Sequence, residues 1–358
     1  MEYNETKYKI LALGEIFQFV DYVDDNFHCV SIYTKKNRKY KKGTLFSPSL
    51  FFELRKRIKN GYYDLILCAT NPFPIHIHDR SLLKNIRNLL HALFFDFASL
   101  GLSMLPLLLR DSTVPVAGIN SHDKPRIPKE DFYLLKRCNW YFMRELPQNK
   151  KLLFLNANKR SNALEAIKDN SFYSEIVKKI RPISLGVSDN IVKYGRGNSK
   201  DIDIFFCGDI VNSTVREDGL KTLKRLETEG YNVVCITDRI PFDEFYDYCL
   251  RSWLVWSPGG LGWDCFRHYE VALAESVPVS NYPSIARYQP PVEGEHCLYY
   301  GIEGDHLYRV IKSALNNKDR LEEMGKAARK HCIRYHTVSK ILQHVVETTL
   351  LETNQKEK

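Results

Sequence analysis

Short apolar runs alternate with helix-like segments along this 358-residue chain, and the pattern occurs twice. In the first half, residues 8–14, 27–33, 63–69, 114–120 and 139–145 are each short, rich in β-branched or aromatic residues, and bounded by Gly, Asn, Asp or Pro. Such runs read as strands. Residues 47–60 begin at a Ser and carry apolar residues at helical spacing, and residues 128–138 do the same with Pro128 near the start. Strands that alternate with helices make a parallel sheet covered on both faces.

The second half repeats the scheme. Strands are expected at 201–209, 231–237 and 253–257, and helices at 213–230 and 241–252. Residues 303–354 are helical throughout, and the tail from 352 is expected to fray. The polar, Gly-containing segment 186–201 separates the halves. The reading is α/β, with two Rossmann-like doubly wound domains facing a cleft. Residues 1–190 form the first domain and 200–335 the second, and a C-terminal helix in 336–358 crosses back to the first.

Hydrophobic residues are 44% of the chain and charged residues 27%, which excludes a disordered composition. The net charge of +9 favours anionic partners such as nucleotides, phosphates, nucleic acid or a membrane surface, or marks only a solvated basic face. The nine cysteines make no CxxC pair, and several lie in apolar strands. They read as buried thiols of a reducing cytosol, not as a disulfide framework or a zinc site. The start of the chain lacks a basic segment followed by a long apolar core, so no secretory signal is expected and the location is cytoplasmic. Residues 89–109 are nearly apolar, long enough to span a bilayer. His91, Asp96, Gly101 and Pro106 interrupt them, which favours buried core helices over a peripheral membrane contact, and either over a span.

Residues 252–281 carry the chemistry. A strand ends in SPGGLGWD, then comes a helix with FRHYE, then the strand VPVSN. In such a unit the free N–H groups at the helix start point into the crevice beyond the strand ends, where anions bind. Gly259, Gly260 and Gly262 let the backbone approach a ligand. Phe266, Tyr269, Val271, Leu273 and Ala274 can pack inward, while Arg267 and Glu270 share a face. Arg267 or His268 suits phosphate oxygens, and Glu270 suits sugar hydroxyls. A surface ion pair beside a tight turn would use the same residues. GK[ST] and GxGxxG are both missing, so neither a P-loop nor a simple dinucleotide fold is indicated.

From residue 241 to 300 the sequence resembles the donor domain of GT-B glycosyltransferases, most of all the CgeB-like and exostosin-like group. The likeness rests on the Ser-Pro-x-Gly loop, on Arg267 and Glu270 in the next helix, and on Pro278 beyond it. The family's E-x7-E motif is half present. Glu270 matches its second Glu, and Gly262 stands where the first would be. The resemblance implies a nucleotide-sugar donor (a UDP-, GDP- or dTDP-sugar) held by the second domain. A saccharide or glycan acceptor would be held by the first. It further implies Glu270 on the donor ribose and Arg267 with the 259–262 loop near the diphosphate. Gly208, Asp209, Ser213 and Arg216 would form the opposite wall.

Transfer from such a donor passes through an oxocarbenium-like sugar, and its leaving group needs charge neutralisation more than a proton. Helix dipoles and cationic side chains can supply this, so no metal or other cofactor is expected. Asp201 and Asp203 read as the lead-in to a strand, and His76 and His78 as loop residues. The acceptor hydroxyl calls for a base on a loop after a strand of the first domain. Asp123 with His122 beside it is the first choice and Glu15 the second, although Asp123 before Pro125 also reads as a turn. The basic run at 35–42 suits a solvated loop, anionic lipid or a nucleic-acid acceptor. Further alternatives are a catalytically degenerate GT-B module that binds glycans or a partner, and an epimerase of the same architecture that binds the same donors.

Overall fold

Strand-forming runs without alternation require burial on both faces, and the computed structural model places them so. It describes residues 8–13, 27–31, 44–45, 48–69, 105–110, 112–127, 131–154, 171–194, 199–210 and 214–356. The first sheet comprises β1 (Ile10–Leu13), β2 (Phe27–Ser31), β3 (Thr44–Leu45), β4 (Leu65–Ala69), β5 (Val116–Asn120), β6 (Trp140–Met143) and β7 (Ile180–Pro182). Its order is β3-β2-β1-β4-β5-β6-β7, with every pairing parallel. Around it lie α1 (Pro48–Lys59), α2 (Leu105–Leu109), α3 (Phe132–Arg137) and α4 (Ser171–Lys178). Helix α1 opens on a proline, whose fixed φ suits a first turn, and ends on Lys56, Arg57 and Lys59, which complement its carbonyl end.

The second sheet is β8 (Ile202–Cys207), β9 (Val233–Ile236), β10 (Ser252–Trp256), β11 (Val277–Asn281) and β12 (Leu298–Tyr300). Its order is β12-β11-β10-β8-β9, again all parallel. The helices are α5 (Thr214–Thr228), α6 (Phe242–Arg251), α7 (Phe266–Leu273), α8 (His306–Leu315) and α9 (Lys318–Tyr335). The chain leaves β8 for β9 on one side and returns to β10 on the other. This reversal opens a crevice beyond the carboxyl ends of β8 and β10.

Helix α10 (Val338–Lys356) crosses back as expected. Its Val338, Ile341, Leu342, Val345 and Val346 are buried against Ile10, Ala12, Leu65, Leu67 and Ile119 of the first sheet. Strands β3, β7 and β12 and helix α4 add to the elements expected from the sequence. Of the apolar stretch 89–109, only 105–109 lies among the described residues, and those five form α2. Among the described residues no helix is long and apolar enough to cross a membrane. The basic run at 35–42 and residues His76 and His78 lie outside the described residues. Cys68, Cys138, Cys249, Cys297 and Cys332 are buried free thiols, as expected, whereas Cys235 is exposed.

Candidate active site

Strand β10 ends at Trp256, and the chain then turns through the glycine loop to α7. Ser257 donates its backbone N–H to Val279, and Gly259 donates to the Asn281 side chain at 2.9 Å. Gly260 donates to the Gly262 carbonyl, which tightens the turn. Leu261 at its tip is 90% exposed. The loop is thus exposed at 260–261, while its second half is anchored in protein.

Two arginines stand across this crevice. A Cβ on Gly208, just after β8, would lie 2.6 Å from Nη2 of Arg267, and one on Gly260 would lie 2.8 Å from Nη2 of Arg216. A side chain at either position would push the guanidinium away from where it now lies against the backbone. Arg216 donates to the Asp209 carbonyl. Burial, and then the positive charge of Arg267, holds the Arg216 guanidinium below its ordinary value. Nη1 of Arg267 is buried and has no hydrogen-bond partner among the described residues. Its guanidinium lies 5.5 Å from the Phe206 ring centre. A half-buried guanidinium with one unbonded nitrogen, beside a second cation, is an arrangement that an anion would complete.

Glu270 lies one helical turn further on the same face of α7. Its carboxylate accepts no hydrogen bond among the described residues, and burial raises its pKa from 4.5 to about 7, with Cys265 adding and Arg267 opposing. It stands ready to accept from hydroxyl donors. The surface ion pair that the sequence also allowed does not form: no salt bridge joins Arg267 to Glu270.

The other sequence candidates divide. His268 was expected beside phosphates, and the structure turns it inward instead. Its Nδ1 meets the Ser257 hydroxyl at 2.9 Å and its Nε2 the Trp263 carbonyl at 3.0 Å. Burial, reinforced by Arg287, lowers it to about 4, so it is a neutral structural histidine. Phe266 was expected to pack inward but is an exposed residue at the start of α7. Ser213 and Glu15 lie outside the described residues. His122 donates its backbone N–H to the Asn120 side chain, and Asp123 pairs with Arg144.

Sequence reasoning misses the junction that this pair opens. Arg144 and Glu145 follow β6, are buried, and reach the glycine loop. Nη1 of Arg144 donates to the Ser121 carbonyl at 2.9 Å, and its Nη2 to the Asp264 carbonyl at 3.1 Å. Glu145 accepts the N–H of Trp263 and the N–H of Asp264, each at 2.9 Å. The Asp264 side chain in turn accepts from the Leu185 N–H at 2.8 Å and from the Tyr269 hydroxyl at 2.5 Å. The available signal is two charges at the carboxyl end of a buried strand, where a parallel sheet presents its crevice.

No protein-family model matches the sequence, and no curated protein matches it. Solved structures do match. The chain is similar to HepE of Anabaena in a crystal structure with UDP, at 12% identity and a TM-score of 0.51, over 95% of this chain and 99% of that one. It is similar to a glycosyltransferase of Rickettsia africae at 11% identity and a TM-score of 0.52, over 97% and 99%. The fold is GT-B. In this GT-B chain the glycine loop, Arg216, Arg267 and Glu270 belong to the second lobe, and Asp123, Arg144 and Glu145 to the first.

Proposed function

We propose that this chain is a GT-B glycosyltransferase that moves a sugar from a nucleoside-diphosphate-sugar to a hydroxyl of a saccharide or glycan acceptor. The observation that carries the reading is the Arg267 guanidinium, whose buried Nη1 has no hydrogen-bond partner among the described residues, with the Glu270 carboxyl one turn further along α7 raised to about 7 by burial. A nucleoside diphosphate joins an anion to a ribose with adjacent hydroxyls, and so meets both needs in one molecule. The HepE structure of the same fold holds UDP, which supports the reading. So does the finer sequence resemblance to CgeB-like and exostosin-like donor domains.

In the reaction the bond from the sugar carbon to the diphosphate oxygen breaks as the acceptor oxygen bonds to that carbon. The diphosphate leaves with the electron pair. Arg267, Arg216 and the N–H groups at the start of α7 neutralise its growing charge, and such fixed donors act strongly where water is scarce. The two guanidiniums supply what a metal supplies in other glycosyltransferases, so transfer is expected to proceed in chelator. Glu270 orients the ribose. Asp123, oriented by Arg144 and 47% exposed at its side chain, takes the acceptor proton. The test is a thermal-shift screen of UDP-, GDP- and dTDP-sugars, followed by product analysis. A rise in Tm with one of them, lost in Arg267→Ala, is expected. No response to any nucleotide sugar would overturn the reading.

A further inference from the structure

Gly262 stands where the loop meets the first lobe. A Cβ there would lie 2.6 Å from Nη2 of Arg144 and 2.6 Å from Oε1 of Glu145. The space beside the loop backbone is therefore filled by a guanidinium and a carboxylate from the other lobe. Glu145 is buried, and its two oxygens take two successive backbone N–H groups of the loop, 118 and 119 residues further along the chain. Hydrogen bonds to a charged acceptor are among the stronger ones, and their loss inside protein leaves two donors unsatisfied. Arg144 fixes that carboxylate through a contact of 3.3 Å from its Nε, and also binds the loop at the Asp264 carbonyl.

The residues so held lead directly into α7. Trp263 is pinned on its other side too: its indole donates to the Asn281 carbonyl at 3.1 Å, and Arg287 lies 4.6 Å from its ring centre. Cys265 and Phe266 follow at once, so the aim of the α7 N-terminus and of Arg267 depends on where Trp263 and Asp264 are held.

We propose that Glu145 is the positioning residue of the donor loop. Its carboxylate, supplied by the acceptor lobe, shapes the 262–265 turn of the donor lobe. The diphosphate site is then complete only when the two lobes are apposed. Gly262 is the complementary requirement, since any side chain there would displace the carboxylate. This inference rests on the proposed function for its ligand, and on the contacts alone for its mechanics.

Hydrogen exchange on the ligand-free full chain tests the mechanics. In Glu145→Ala and in Gly262→Ala, amide exchange across residues 257–268 should rise about tenfold or more, with β8 unchanged, because two bonds to a charged acceptor are lost. Glu145→Gln keeps one acceptor oxygen and should fall between. Titration with UDP-, GDP- and dTDP-sugars tests the consequence. Both alanine variants should bind the wild-type donor about tenfold or more weakly, with Gln again intermediate. A wild-type exchange pattern in Glu145→Ala overturns the proposal, and so does full donor affinity despite a loosened loop. If the wild type binds no nucleotide sugar, the proposed function falls, and the exchange result alone decides whether Glu145 positions the loop.

Discussion

Replacing Glu270 by Gln should make the ligand-free protein more stable at pH 8 while weakening its response to a donor. The carboxyl is raised from 4.5 to about 7, chiefly by burial. Between those two values the folded state holds a proton that the unfolded state has released. Stability therefore increases as pH falls through this window, and the cost of the ionised form is complete above pH 7. At about 1.4 kcal/mol per pH unit, the shift corresponds to roughly 3 kcal/mol. This is an upper figure, because part of the side chain meets solvent and relaxation lowers the penalty. Glutamine keeps the shape without the charge. Its advantage should be about 2–3 kcal/mol at pH 8 and under about 1 kcal/mol at pH 5. For a lobe of a hundred to two hundred residues, that is a rise of about 5 °C or more in Tm at the higher pH. Differential scanning fluorimetry at pH 8, 6.5 and 5, with and without UDP, reads both effects. An equal or lower Tm for Glu270→Gln at pH 8 would refute the buried-charge argument. A wild-type UDP shift in that variant would refute the hydroxyl role.

Other outcomes can be measured alongside. Arg267→Ala should weaken UDP binding by about tenfold or more in calorimetric titration, since a charge-assisted contact to phosphate is lost, while its Tm without ligand should fall little. Acid should destabilise the fold through its histidines. His268 and His344 are each lowered to about 4 and His336 well below 6.5, all mainly by burial, so the unfolded chain takes up protons between pH 6.5 and 4 that the folded one refuses. Urea midpoints should therefore fall from pH 7 to pH 5, despite the opposite pull of Glu270, and a flat profile would contradict this. Gly219→Ala should destabilise by about 1–3 kcal/mol or more in urea unfolding, because its methyl would enter within 2.0 Å of the buried Trp256 ring.

The fold was legible where elements were long and uniformly apolar. Strands such as β4 and β6 are buried on both sides, so they appear as unbroken hydrophobic runs bounded by turn residues. Strands β3 and β7 have two and three residues, too few to show a pattern, and form because neighbours of the sheet offer them a ladder. In the site, the glycines, Arg267 and Glu270 stand out because one strand–loop–helix unit carries them all. His268 misleads, because consecutive residues on a helix point about 100° apart, and one step round from Arg267 faces the core. Arg144, Glu145 and Asp264 were illegible for another reason. Their meaning arises only when chain segments some 120 residues apart meet, and no local pattern records that meeting.

The return of α10 has a consequence for biosynthesis. One face of the first sheet is covered by Val338, Ile341, Leu342, Val345 and Val346, yet β1 is translated long before them. A nascent chain must therefore leave Ile10, Ala12, Leu65 and Leu67 uncovered until the ribosome has passed residue 346. The second lobe, whose strands and helices α5 to α9 are contiguous, can complete itself first. A stop before Val338 would release a molecule with a naked apolar sheet, a substrate for chaperones and for aggregation even though every strand of both lobes had been made.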